Sequence, residues 1–152
     1  MATEAPIFAS DEEALNAARD TFEGYLRAGG SIMSEGGASP ERIDDFTTPE
    51  TASEEKAGFA RLAARGERLV GETKLENVTL QSYRPDRIRG IVVVYACVSV
   101  ADTDVLDEDG KSTVSVDRPD RTPFEAIFDR SEQSATKLRL SSKTVWAGEG
   151  VC

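Results

Sequence analysis

Apolar residues recur at spacings of three and four through Leu15, Ala18, Phe22, Tyr25, Leu26, Ile32 and Met33, with one break. That stripe predicts an amphipathic helix from about residue 11 to 27 or 34, weakened or ended at Gly29-Gly30 and stopped by Gly36-Gly37-Ala38. Ser10-Asp11-Glu12-Glu13 ahead of it has the form of a capping box, with Phe8 or Ala9 as the apolar residue that staples the entry. Ser39-Pro40-Glu41 and Thr48-Pro49-Glu50 each set a hydroxyl before a proline at the first helical position. They predict a short helix over 40–46 and a longer one over 49–64, with Phe59, Leu62 and Ala63 facing inward.

From Leu69 the period changes to two. Residues 69–74 and 75–83 read as strand, with a bulge near Glu76-Asn77 beyond which Val78 and Leu80 reset the parity. Residues 91–100 form the one continuous apolar run, rich in valine, whose stiff branched side chains suit a pleat. Apolar at both parities, it predicts a central strand covered on both faces. Asp109-Gly110 signals a hairpin between Val105-Leu106 and Val114 and Val116. Residues 122–130 and 137–146 alternate, the second with Leu138, Leu140, Ser142, Thr144 and Trp146 on one face, which places Trp146 in the core near the sheet's end, with the mouth of a pocket as the alternative. Residues 131–136 are the polar turn between them. Helices first and four long strands after predict an α+β domain over 10–152, behind a flexible tail over 1–9, with helices on one face of a mainly antiparallel sheet of four strands or slightly more.

Composition narrows the function. A 39% hydrophobic and 30% charged chain is ordinary for a soluble globular protein, and its net charge of −10 argues against nucleic acid and against anionic lipid as partners. Residues 1–67 carry 14 acids against 6 bases and residues 68–152 carry 14 against 12, so the acidity sits on the helical half, as a solvated face or, in the alternative, a surface for a basic partner. The absence of histidine removes the usual general base near neutral pH and the commonest zinc ligand. No metal and no cofactor is expected.

The two cysteines, Cys97 in the central strand and Cys152 at the last position, are either idle thiols or a disulfide, since a terminal thiol would otherwise be reactive. A bridge implies an oxidising compartment, hence export. The opening Met1-Ala2-Thr3-Glu4 has no basic or apolar leader, so export would require a signal removed ahead of it.

Three N-terminal helices followed by a curved antiparallel sheet, over about residues 10–148, resemble the cystatin-like α+β cone of the nuclear transport factor 2 (NTF2)-like superfamily. A narrower resemblance rests on Phe8-Ala9-Ser10-Asp11-Glu12-Glu13-Ala14, the valine-rich strand with Cys97, Val105-Leu106-Asp107, Asp117-Arg118-Pro119-Asp120-Arg121, and Val145-Trp146 before Cys152. Together these are similar to a group of small actinobacterial secreted proteins or lipoproteins of unknown role. The resemblance implies an NTF2-like fold, a removed lipoprotein signal and a Cys97–Cys152 bridge, and no activity. The wider superfamily includes isomerases and dehydratases acting in the apolar pocket of the cone, and also binding and scaffolding modules.

An isomerase of the ketosteroid type needs an aspartate base with a tyrosine and a protonated aspartate nearby. Tyr25, Tyr83, Tyr95 and Asp102 are the right residue types, although their spacing selects no triad and tyrosines with rim hydroxyls are ordinary core residues. Asp102, Asp104, Asp107, Glu108 and Asp109 form an acidic cluster, but an EF-hand alignment puts valines at ligand positions, which leaves a solvated hairpin tip. Arg-Pro-Asp-Arg occurs twice, at 84–87 and 118–121; four converging arginines could grip an anion, while separate ones make local ion pairs. Asn77-Val78-Thr79 matches a glycosylation acceptor too short to argue from. The reading taken is a non-enzymatic, extracytoplasmic binding or interaction domain for an unknown small apolar ligand or protein partner, reaching a membrane only through a lipid anchor. The alternatives are a metal-free lyase or isomerase using pocket tyrosine and aspartate, and a module that dimerises through the exposed sheet face.

Overall fold

In a computed structural model, described for residues 7–132 and 137–152, the first element is α1, Asp11–Ser34. Ser10 caps it by accepting from the Glu13 amide, and Glu13 returns a bond from the Ala9 amide at 2.8 Å. The Ser10 half of the predicted capping box is present, and the Glu13 half reaches one residue further back, to the amide ahead of the N-cap. The helix runs unbroken through Gly29-Gly30 and closes at Glu35, with Gly36 and Gly37 at positive φ. A 3-10 turn over Pro40–Asp45 leads to α2, Pro49–Ala64. This helix turns Thr51, Ala52 and Phe59 inward; Leu62 is half-buried and Ala63 exposed, one turn past the contact predicted for them.

The main sheet has the order β2-β3-β5-β6, all antiparallel, built from β2 (Lys74–Tyr83), β3 (Val92–Ser99), β5 (Arg121–Arg130) and β6 (Leu138–Val145). Two short strands, β1 (Arg68–Val70) and β4 (Asp104–Leu106), pair separately. The stretch predicted as strand over 69–74 is therefore a separate short pair and a turn. The Asp109-Gly110 turn is closed by one bridge, Leu106 with Ser112, and Val116 is fully exposed. The predicted turn over 131–136 lies in part outside the described residues.

The valine-rich strand sits second from one side. Val92, Val94, Ala96 and Val98 face the helices, opposite Phe128, Ala126, Phe124 and Thr122 of β5. On the outer face Cys97 is fully buried because Cys152 bonds to it, with Cα atoms 5.1 Å apart. That bridge closes a separation of 55 residues, and in the chain-entropy account contributes roughly 4 kcal/mol. It lays the C-terminal tail across the outer face.

Of the three register slips in the sheet, one of the two in β2 and the one in β6 decide which side chains face inward. In β2 the register slips between Glu76 and Thr79, where Asn77 has φ 46°, and Val78 and Leu80 reach the core beyond it, as the sequence predicts. In β6 it slips between the partners of Ile127 and Phe128: Leu140 faces Phe128 and Ser142 faces Ile127, leaving Ser141 unpaired. The freed carbonyl of Ser141 accepts from Thr51 Oγ1 at 2.8 Å, and the Ser141 hydroxyl donates to the Ile127 carbonyl. Alternation reverses past this bulge, so Lys143 takes the inward position opposite Ala126. The core reading of Trp146 is thereby corrected. Its ring packs at 4.7 Å on Tyr95 of the outer face, with Gly148 of the tail pressed against the indole.

Candidate functional site

The inner face of the sheet is filled at one end and hollow at the other. At the filled end Phe22 and Phe128 pack with ring centres 6.4 Å apart among Val92, Val94, Leu138 and Leu140, all fully buried. Gly24 on the same helix admits the Phe46 ring where a Cβ would clash. At the other end a cavity of about 320 Å³ lies between α1, α2 and the ends of β3, β5 and β6. Leu26, Met33, Phe59, Val98, Val100 and Phe124 make its apolar wall, and Gly29 of α1 lines it without a side chain of its own.

Three polar side chains converge there. Tyr25 and Glu55 come from the two helices, and the Tyr25 hydroxyl donates to Glu55 Oε1 at 2.8 Å. Lys143 arrives from β6 through the Ser141 bulge, and its ammonium donates to the Tyr25 hydroxyl at 3.2 Å. The ammonium also lies 4.8 Å from the centre of the Phe124 ring and 5.2 Å from that of Tyr25. Among the described residues no carboxylate comes within ion-pair distance of it. Burial, and then the neighbouring Glu55 carboxylate and its hydrogen bond, raise the Tyr25 phenol well above its usual pKa. For Lys143 burial pushes the pKa down against the opposing pull of Glu55, so desolvation outweighs the counter-charge.

Of the four residues singled out for an isomerase, the structure brings only Tyr25 to this cavity. Tyr83 ties down the segment before α1, accepting from the Phe8 amide and donating to its carbonyl at 2.8 Å. Tyr95 is on the outer face, bonded to Gln81. Asp102 stands in solvent, paired with Lys74 at 2.8 Å, which draws the aspartate pKa down and the lysine pKa up. The two Arg-Pro-Asp-Arg loops lie at opposite ends of the sheet and form no shared grip. The first joins β2 to β3 beside Val92, and the second enters β5 opposite Ser99. Arg118 caps the carbonyls of Val100 and Thr103, and Arg121 pairs with Glu76 at 2.9 Å. Among the described residues the acidic cluster forms no metal-binding group; Asp107 accepts from the amides of Asp109 and Lys111 in its own turn.

Glu55 and Lys143 were missed by sequence reasoning. Glu55 could have been found, because it lies one turn before Phe59 on the buried side of α2. Lys143 could not be found by alternation, which points it outward; its signal is the bulge, and Ser141-Ser142 carries no glycine, proline or asparagine to mark one. A wider hollow of about 540 Å³ beside α1 is bordered by the exposed Glu23, Arg27, Glu72 and Lys74 and gathers no comparable set.

No protein-family model matches the sequence, and neither does any curated protein. The fold does have solved counterparts. The intermembrane space region of chloroplast protein ARC6 is similar with a TM-score of 0.62 and 11% identity, over 88% of this chain and 97% of that one. Aln2 from a Streptomyces species is similar with a TM-score of 0.51 and 14% identity, over 91% and 92%. A protein from Catenulispora acidiphila gives 0.50 and 16%, over 86% and 91%. At such identities the likeness is one of fold: helices packed on a four-stranded antiparallel sheet, in the manner of an NTF2-like cone.

Proposed function

We propose that this is an extracytoplasmic ligand-binding domain that takes a small apolar molecule bearing one polar group into the hollow end of the cone. The observation that carries the reading is the cavity of about 320 Å³ with apolar walls and three polar groups at one place. Such concave, mostly apolar hollows with a few convergent polar groups are what small-ligand sites look like, and this one is at the small end of their range. The walls supply area, and Tyr25, Glu55 and Lys143 orient the polar group. Charge sets a limit on the ligand: Lys143 and Glu55 bring one positive and one negative group, so a neutral polar function is favoured over a fully charged one.

The disulfide supports a place in an oxidising compartment. Among the described residues no helix is long and apolar enough to cross a membrane. A lyase or isomerase remains as the second reading. What supports it is Tyr25 beside a carboxylate, with Glu55 in the place that an aspartate would take.

Titration of labelled protein with 2-naphthol, followed by amide chemical shifts, tests the binding site. The expected result is a saturable change confined to Tyr25, Gly29, Phe59, Val98 and Phe124. Changes scattered over the surface, or none, would remove the proposal. Alkylation of protein taken directly from its native cells tests the compartment: Cys97 and Cys152 should resist until reductant is added, and two labelled thiols would return the protein to the cytoplasm.

A further inference from the structure

The cavity holds an amine placed as few lysines are. The chain has five lysines, at 56, 74, 111, 137 and 143. Lys56 and Lys74 are in ion pairs with Asp44 and Asp102, and Lys111 and Lys137 are exposed. Lys143 alone lines the hollow, held between two aromatic rings and bonded to a phenol that is bonded in turn to a carboxylate. We propose that Lys143 is a nucleophilic amine that condenses with the carbonyl group of a small apolar aldehyde or ketone, with Tyr25 and Glu55 as its proton relay.

The inference rests on the binding proposal and adds the ligand's chemical class. A lysine becomes a nucleophile at neutral pH when desolvation frees a fraction of it from its proton. The two rings favour the ammonium, but burial works the other way and its effect is the largest on this group. The bonds give the proton a route. The ammonium proton passes to the Tyr25 oxygen as the phenol proton passes to Glu55, which leaves a neutral amine, an intact phenol and a carboxylic acid. The amine lone pair then forms the C–N bond as the C=O π pair moves to oxygen. The oxygen takes one proton back from Glu55 by way of Tyr25, and the amine nitrogen returns another to Glu55 by the same route. Loss of the hydroxyl as water, using that proton and the nitrogen lone pair, leaves the protonated imine and the Glu55 carboxylate. Ammonium and carbonyl compound go in, iminium and one water come out, and no oxidant, reductant or metal is needed.

The test is reductive trapping with 4-isopropylbenzaldehyde and cyanoborohydride at neutral pH, read by intact mass and peptide mapping. The expected product is a single early adduct at Lys143, formed about tenfold faster than at any of the other four lysines. Lys143→Arg should abolish the fast adduct while circular dichroism shows the fold retained, and Lys143→Met serves should the arginine not fit. Tyr25→Phe should slow trapping by a much larger factor than it weakens the binding of 4-isopropylbenzyl alcohol, which has the same body and no carbonyl; equal losses would mean that Tyr25 only holds the ligand, and would overturn its place in the relay. Adducts spread evenly over the lysines would overturn the inference. Alcohol bound in the cavity with no fast adduct would also overturn it while leaving the binding proposal standing, and failure of both alcohol and aldehyde to bind would take down the two together.

Discussion

The two ends of the concave sheet face are made by the same strands and are not built alike. Where β3, β5 and β6 pass Val92, Phe128 and Leu140, the space under α1 is filled by Phe22, and the buried Thr47 beside Leu140 spends its hydroxyl on the Ile43 carbonyl. Six residues along β3 and β5, and three along β6, the same strands present Val98, Thr122 and Lys143, and the helix passes overhead as Gly29. Stability is concentrated at one end, and the chemistry is gathered where packing was given up. Desolvated polar groups are tolerable at the hollow end because each has a partner, Lys143 in Tyr25 and Tyr25 in Glu55.

The strongest way to break that contrast is at the filled end. Phe128→Ala should cost about 3–5 kcal/mol, the usual range for deleting a fully buried ring, seen as a lower urea midpoint with unchanged slope. Phe124→Ala, at the rim of the existing cavity, should cost markedly less and enlarge the site. Equal losses would mean that the hollow is closed in solution.

The middle of the scale is Lys143. Lys143→Met replaces a desolvated ammonium by an apolar chain of similar length and should raise stability by about 1 kcal/mol at neutral pH. Its pH signature is separate. Because the folded-state pKa of Lys143 lies below its usual 10.5, the unfolded chain binds more protons between those two values, and stability rises with pH there. The raised Tyr25 pKa acts in the opposite sense. It holds its full contribution below the ordinary phenol value of 10.0 and loses it above. Denaturation curves from neutral pH upward should therefore climb before they fall, and in Lys143→Met the climb should vanish.

Much of this contrast was legible in the sequence and part was not. The capping box, the apolar stripe of α1, the valine-rich central strand and the slip near Asn77 are local patterns, and each chain segment declares them by itself. The β6 bulge is a pairing event between two strands. It depends on the Ser141 carbonyl finding Thr51 on a helix 90 residues away. One unpaired residue then moved Lys143 inward and Trp146 outward, so the same event hid a site residue and produced a false core residue. Asp102 misled for the opposite reason: the residue type suited the chemistry, while its position in a turn left it in water.

Glycines give a smaller and finer test of the two ends. Gly24→Ala would drive a methyl into the Phe46 ring and should destabilise the filled end. At Gly29 an added Cβ meets only Ile43 Cδ1, at 4.0 Å, which is ordinary contact. Gly29→Ala should therefore show the helix-propensity gain, about 0.5–1 kcal/mol, while narrowing the cavity and weakening 2-naphthol. A substitution that raises the melting temperature and lowers ligand affinity would show that α1 keeps a glycine there for the sake of the hollow. A rise in melting temperature with affinity unchanged would place the ligand elsewhere.

The least effect is expected just outside the mouth, where Lys74 and Asp102 make an ion pair as short as any bond in the site, 2.8 Å. Both partners are largely exposed, at 57% and 62% of their side chains, so solvent and salt screen the attraction and ordering the two chains offsets what remains. Asp102→Asn should leave both melting temperature and 2-naphthol affinity within measurement error. Lys143 reaches the Tyr25 oxygen at a longer distance, 3.2 Å, yet its removal should register in stability, in pH dependence and in trapping. The length of a polar contact is a poor guide to its consequence here; what matters is whether water can take the partner's place. A clear loss of affinity in Asp102→Asn would break that ordering, because the ligand would then be reaching out of the hollow to the lip.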